Sequence, residues 1–399
     1  MVSTNVIYTC HGNPDLIHTV RVLVCPEPFQ GGISAHRAAG VIADGLSSTS
    51  NHFQIRQIPL SFDDLTVNTI VQACGGVWRE AVVLGEQGKS LRVSYGSLQG
   101  GRVAVVQPQH LATRVSPSNW AGEMSSFGTG QLLKVILQDR TVERVYCYLP
   151  EGLWPVDGGV GFLQALGVSL LDPDGKSVSW AANSLSRLTR VDFRGVLPRL
   201  KQVELIVACD SQAPLLGRQG AAWTWGSRSG ASFAMIEKVE KGLTILAEAV
   251  QRTYGGGHHV LGGAASGGGL GYGLSLVGAK LRPPAQVLLE NLDFLEQVRQ
   301  SDLVITGQAQ TNRQTTPQQL LPSVLRLCQE TGTPGVVLSG IVRPQELETV
   351  FNSGAWAVLD VVPGMLTTTQ MLEQIENNLY FNAQQLGRLL LLGRKLSPS

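Results

Sequence analysis

Residues 255 to 278 read GGGHHVLGGAASGGGLGYGLSLVG, a run so rich in glycine that it restricts what the rest of the chain can fold into. Glycine loses more backbone entropy on folding than any other residue, so such a run belongs where backbone passes close to something. After Gly269 the apolar residues Leu270, Leu274 and Val277 recur at i, i+4 and i+7, which predicts a helix starting behind the glycines. Two readings are open. Either backbone N–H groups at a helix N-terminus cradle a phosphate or carboxylate, or small residues let backbone segments pack against each other.

Named motifs narrow the chemistry. No frame in the run satisfies GxGxxG and no clear strand precedes it, so a dinucleotide fingerprint is absent. Gly88-Lys89-Ser90 and Gly175-Lys176-Ser177 end like Walker loops, but the required first glycines are Val83 and Leu170, and both segments read as polar turns. Ala264, Ser266 and Gly268 imitate a nucleophile elbow, yet His259 is the last histidine and none follows the serine. His258 and His259 are adjacent and read as turn residues rather than ligands to one metal.

Composition sets the class. At 399 residues the chain is long for one core and predicts two domains. Its 31 basic and 30 acidic residues balance, without a basic run, so neither nucleic acid nor an anionic membrane surface is indicated. Cys10, Cys25, Cys74, Cys147, Cys209 and Cys328 lack CxxC spacing and read as reduced thiols, which fits the cytoplasm. No apolar stretch approaches the ~18 residues of a membrane span, and the start of the sequence lacks a secretory pattern.

Residues 1 to 20 are treated as an N-terminal extension. From Arg21 the order is strand, helix capped by Ser34, strand Gln54 to Leu60, and helix Thr66 to Ala73, the alternation of a parallel sheet covered by helices. Residues 78 to 106 change to an antiparallel meander. Alternation then resumes through VELIVACD, ending at Asp210, and a helix from Phe233 to Arg252; buried strands recur at DLVITG, GVVLSG and AVLDVV. The expected architecture is α/β with two domains. A discontinuous Rossmann- or flavodoxin-like parallel-sheet domain takes residues 21–77 and 286–399, and an inserted mixed α/β domain takes 78–285. The crevice is expected at the carboxyl ends of the parallel strands.

Several separated segments together resemble the bacterial glycerate kinase family, of the glycerate 2-kinase type. CPEPFQGGISA at 25–35 resembles that family's PDSFKGSLSA; SSFGTGQL at 125–132 resembles TTYGTGEL; VDGGVGFLQALGV at 156–168 resembles NDGGAGMLQALGV. VACD and PLLG within 207–217 match VACDVDNPLLG, SGGGLGYGL resembles AAGGLGFGL, and DLVITGQAQTNRQT resembles DLVITGEGRLDAQT. Pro363 to Met365 supplies the closing PGM. The matches run in order from about residue 21 to 397. The resemblance implies ATP and glycerate giving 2-phosphoglycerate and ADP, with Mg²⁺, a small-molecule substrate and neither nucleic acid nor membrane as partner; whether two copies form a homodimer stays open.

By the same resemblance Asp157 and Asp210 are the candidate catalytic and Mg²⁺-binding acids. Ser125, Gly128, Thr129, Gly130, Gly158, Gly159, Gly268, Gly269, Gly271, Thr306, Gly307, Gln308, Asn312, Gln314 and Thr315 are the candidate substrate or nucleotide residues. The departures remove charge. Gln30 stands for lysine, Gln308 for glutamate, Gln310 for arginine and Asn312 for aspartate, and Ser61 to Thr66 replaces ADGGEGT. Asp63 and Asp64 either substitute for acids of that loop or form a solvated turn. Phosphoryl transfer rests on positioning and on neutralising spreading negative charge, so a catalytically impaired relative that binds an organic acid or nucleotide in a regulatory role is the alternative. Trp154, Trp223 and Trp225 fall where the family carries smaller residues and are expected to fill space near the crevice.

Overall fold

The computed structural model describes residues 19–29, 32–63, 65–85, 89–108, 125–150, 154–179, 182–309, 319–342, 344–362 and 368–396. It is an α/β fold in two compact units: Met1–Pro59, Glu296–Gln314 and Val324–Ser399 make one, Leu60–Leu295 and Thr315–Ser323 the other.

The first unit is built on a five-stranded sheet in the order Ala355–Asp360, Gly335–Ser339, Leu303–Gln308, Val20–Val24, Phe53–Gln57. Every pairing is parallel. The inner strands read as unbroken apolar runs because a parallel sheet is covered on both faces; Val22, Leu23, Val24, Val304, Ile305, Val337 and Leu338 are all at most 1% exposed. Ser34 caps the helix Ala35–Ser47 as expected, its hydroxyl accepting the Arg37 N–H at 3.2 Å. That helix lies against Thr368–Leu396. A Cβ added at Gly45 would come within 2.5 Å of the Tyr380 carbonyl and 2.8 Å of the Ala383 Cβ. Gly45→Ala is therefore expected to cost about 1–2 kcal/mol net, overpacking outweighing the better helix propensity of alanine. A thermal melt checks this, with unchanged stability as the contrary result.

The second unit holds a six-stranded mixed sheet in the order Lys280–Arg282, Glu204–Cys209, Arg144–Leu149, Val103–Val106, Ser90–Leu98, Val77–Leu84. The expected meander is present as the two antiparallel pairings at one side; the remaining pairings are parallel. The helix Thr66–Ala73 falls in this unit and not, as expected, in the first. Its placement follows from Gly96, where a Cβ would strike Val71 and Val105, so the bare backbone of Ser90–Leu98 receives the helix. The amphipathic pattern of residues 66–73 fits either sheet equally well, and the partner that decides between them, Gly96, is distant in the chain.

Four of the described cysteines, Cys25, Cys147, Cys209 and Cys328, are buried and reduced, while Cys74, also reduced, is exposed. Burial pushes the Cys209 thiol up to about 12. Among the described residues no helix is long and apolar enough to cross a membrane.

Candidate active site

In the second unit three glycine-bearing segments, far apart in sequence, meet backbone to backbone. The glycine run turns through Gly267, Gly268 and Gly269, all with positive φ (61°, 69° and 92°), into the helix Leu270–Leu276. A Cβ at Gly269 would lie 2.7 Å from the Gly158 Cα, one at Gly159 2.7 Å from the Gly273 Cα, and one at Gly268 would overlap the Pro155 carbonyl. Gly130 faces Phe162 and Ala165 in the same way, its Cβ position 2.5 Å from the Phe162 carbonyl. The Gly158 N–H donates to the Gly268 carbonyl at 3.3 Å and the Gly269 N–H to that of Ala265 at 3.1 Å. Of the two readings of this run, close packing is the one these contacts follow.

The N–H groups expected to cradle an anion are spent in the same junction. Gly128, Thr129 and Gly130, expected as substrate or nucleotide residues, form the first turn of the helix Phe127–Gln138. The Thr129 and Gly130 N–H groups donate to the Ser126 carbonyl at 3.0 and 3.3 Å. Gly271 sits inside its helix against the Gly263 carbonyl.

Asp157 ties two of these segments together, its own and the one that begins at Ser125. Its side chain is fully buried and accepts four hydrogen bonds: from the Ser126 N–H and hydroxyl at 2.8 Å each, the Gly159 N–H at 2.9 Å and the Gly161 N–H at 3.1 Å. Burial pushes the Asp157 carboxyl above its usual range, and the four hydrogen bonds oppose that rise. Ser126, which sequence reasoning did not single out, also accepts the Phe162 N–H at 2.9 Å through its hydroxyl. The signal for it was the serine pair at the start of SSFGTGQL, of which Ser125 seemed the better candidate. The Ser125 hydroxyl accepts the Phe127 N–H at 3.1 Å.

Asp210 is different. It is half-buried, directly after the strand Glu204–Cys209 at its carboxyl end. The following Ser211 N–H reaches the Ser266 hydroxyl at 3.3 Å, and the Ala265 N–H donates to the Ala213 carbonyl at 3.2 Å, which fixes this loop on the glycine run. The Trp225 indole is 3% exposed and donates to the Ala265 carbonyl at 3.2 Å, so it packs as expected; Trp154 is 2% exposed. Trp223 is covered by Arg218, whose guanidinium carbon sits 4.1 Å from the ring centroid. His258 faces the Ser275 hydroxyl at 3.1 Å through Nδ1 within a short turn, and burial lowers its pKa. Asp63 forms a turn, its carboxylate accepting the Leu65 N–H at 2.8 Å.

In the first unit the sheet grows in opposite directions from Val20–Val24, so the topological switch lies between that strand and Leu303–Gln308. Ligands in open α/β sheets bind outside the carboxyl ends of strands at such a point. Glu27, Thr306, Gly307 and Gln308 are gathered there, the Glu27 N–H donating to the Gly307 carbonyl at 2.7 Å. Thr306, expected as a ligand-binding hydroxyl, is fully buried and donates to the Cys25 carbonyl at 3.0 Å instead. It joins the strand Leu303–Gln308 to the residue that follows Val20–Val24. Gly307 lies against the Leu338 carbonyl, while Gln308 is half-buried. Gln30, Asp64, Gln310, Asn312, Gln314, Thr315 and the segment Pro363 to Met365 lie outside the described residues.

The comparisons agree with one another. The family model described as the glycerate kinase family matches residues 22–391. A glycerate kinase of Halalkalibacterium halodurans is 31% identical over 358 residues, spanning 88% of this chain and 93% of the relative. A glycerate 2-kinase of Escherichia coli K12 is 26% identical over 381 residues, 94% of this chain and 99% of its own length. A crystal structure of a candidate glycerate kinase 2 from Salmonella typhimurium LT2 superposes with a TM-score of 0.79 at 26% identity, covering 94% of this chain and 100% of that one. The glycine segments that meet around Asp157 lie within a match that runs almost end to end, and the chain belongs to the glycerate kinase family.

Proposed function

We propose that the protein is an ATP-dependent glycerate kinase that transfers the γ-phosphoryl group of ATP to the 2-hydroxyl of glycerate, with Mg²⁺ neutralising the phosphates. The observation that carries this reading is the junction around Asp157, where three segments resembling the family's motifs meet and two of them share one buried carboxylate. The two compact units read as two domains, and the strand order of the first, 2-1-3-4-5 in its own chain order, as flavodoxin-like.

Within that reading the two acids separate. Asp157 does not fit a metal ligand: it is fully buried and both its oxygens accept protein donors. It positions the loops. Asp210, half-buried at a strand's carboxyl end, fits the single carboxylate that Mg²⁺ takes alongside phosphate oxygens and waters. Among the described residues no three acids, histidines or cysteines form a metal cluster, and a nucleotide-borne Mg²⁺ requires none.

A coupled ADP-release assay with glycerate and Mg-ATP tests the proposal. Glycerate-dependent turnover supports it; its absence, with glycerate or nucleotide still bound in calorimetry, favours the regulatory relative instead. The observation behind that second reading is Gln308, an uncharged side chain at the strand switch point. The double change Gln308→Glu with Asn312→Asp restores the family's charges and is expected to raise kcat by about tenfold or more. No gain would locate the impairment elsewhere, at the rebuilt Ser61 to Thr66 loop.

A further inference from the structure

A small cleft in the second unit is lined by Ser125, Ser126, Thr129, Trp154, Gly267 and Leu270 among others. Its space for the centre of a water-sized group is about 10 Å³, enough for one such group and no more. All its lining residues are uncharged. Behind Ser126 stands the buried Asp157 carboxylate, so a carboxylate or phosphate entering the cleft would meet negative charge without a cation. A neutral hydroxyl suits it. Ser125, whose oxygen accepts the Phe127 N–H, keeps its own proton to donate, and Thr129 supplies a second hydroxyl.

Trp154 forms a wall that does not yield easily. The ring is 2% exposed, and its indole N–H donates to the Pro150 carbonyl at 3.0 Å. Pro155, the next residue, has its carbonyl against Gly268, where no side chain can be accommodated. The indole is held through its N–H, and the backbone beside it by the Gly268 contact.

We propose that this cleft receives the terminal hydroxyl of the acceptor acid and that Trp154, by closing its end, limits the acid's chain length to three carbons. The proposal rests on the hydroxy-acid kinase reading and adds to it the residue that sets substrate size. Trp154 acts by excluding volume. It transfers no proton.

Calorimetry on the full chain, wild type against Trp154→Phe and Trp154→Ala, is run with glycerate and with its four-carbon homologue 2,3,4-trihydroxybutanoate, circular dichroism confirming that each variant is folded. The wild type is expected to prefer glycerate by about tenfold or more, and Trp154→Ala to reduce that preference by about tenfold. Trp154→Phe, which opens less space and keeps an aromatic wall, is expected to move it in the same direction by less and serves if the alanine variant fails to fold. A folded variant with the wild-type preference, a wild type that binds both acids equally, or one that binds neither would overturn the proposal. ADP release is followed in the same samples. Altered preference without ADP release would sink the kinase reading and leave the size limit standing; ADP release with an unaltered preference would do the reverse.

Discussion

Asp157→Ala is expected to be the most destabilising single substitution in the candidate site, lowering the unfolding free energy by about 3–5 kcal/mol. The change orphans four buried donors: the Ser126 N–H and hydroxyl, and the Gly159 and Gly161 N–H groups. Each unsatisfied buried donor costs about 1–3 kcal/mol, and relief from burying a carboxylate offsets part of the sum. Asp157→Asn should cost less, about 1–3 kcal/mol, because its carbonyl can still serve one side while its amide faces a donor on the other. The pH dependence has a definite sign. Burial raises the Asp157 carboxyl, so the folded chain holds this proton more tightly than the unfolded one. Its contribution to stability is then fully present below the ordinary carboxylate range and is lost as pH rises through the raised value. Urea denaturation of wild type and Asp157→Asn across that window checks both points: the wild type should lose stability relative to the variant as pH rises. Equal stability of wild type and Asp157→Ala would contradict the role given to this carboxylate.

Asp210→Asn is expected to have the opposite profile, a small effect on stability and a large one on turnover. The side chain is half-buried at the strand end and takes no part in the four hydrogen bonds on Asp157. Losing it should change stability by no more than about 1 kcal/mol. An amide keeps the shape but is a poorer ligand for a hard dication, and weakening the hold on the ion that neutralises a transferring phosphoryl lowers kcat by about 10²–10³-fold. Steady-state kinetics with varied Mg²⁺ measure this. The variant should also need a higher Mg²⁺ concentration for half-maximal nucleotide binding. An unchanged kcat and Mg²⁺ dependence would remove Asp210 from the site.

The strands and helices of the first unit were legible because parallel strands covered on both faces must be unbroken apolar runs, as at LVITG and GVVLS. The short strand Lys280–Arg282 was not, since its charges look like a helix end. It pairs in parallel with Glu204–Cys209, and Lys280 lies 2.7 Å from Glu204. The glycine run illustrates a deeper limit. Anion cradle and close packing need the same composition, and what distinguishes them is the partner; here Gly158 and Gly159 come from a distant part of the chain. Thr306 was misjudged for a related reason. A threonine near a strand's carboxyl end is placed to face a ligand, but its hydroxyl turns back to the Cys25 carbonyl and ties its strand to the end of the neighbouring one. Asp157 was expected, through the family resemblance, to hold Mg²⁺, whereas both its oxygens accept protein donors, four in all.

The residues that kept the family's pattern are those that hold backbone in place, whereas several that supplied charge are amides. Geometry and field therefore separate in this chain. On the proposed reading, the loss of charge at Gln308 would slow transfer and leave the hydrogen bonds around Asp157 in place, since none of them involves that residue. Phosphorus NMR of the purified protein with glycerate and Mg-ATP tests the account most directly. A phosphomonoester resonance at the position of 2-phosphoglycerate, growing only when glycerate is present, is the expected result. ATP left intact over the same period, or consumed only to inorganic phosphate, would contradict it.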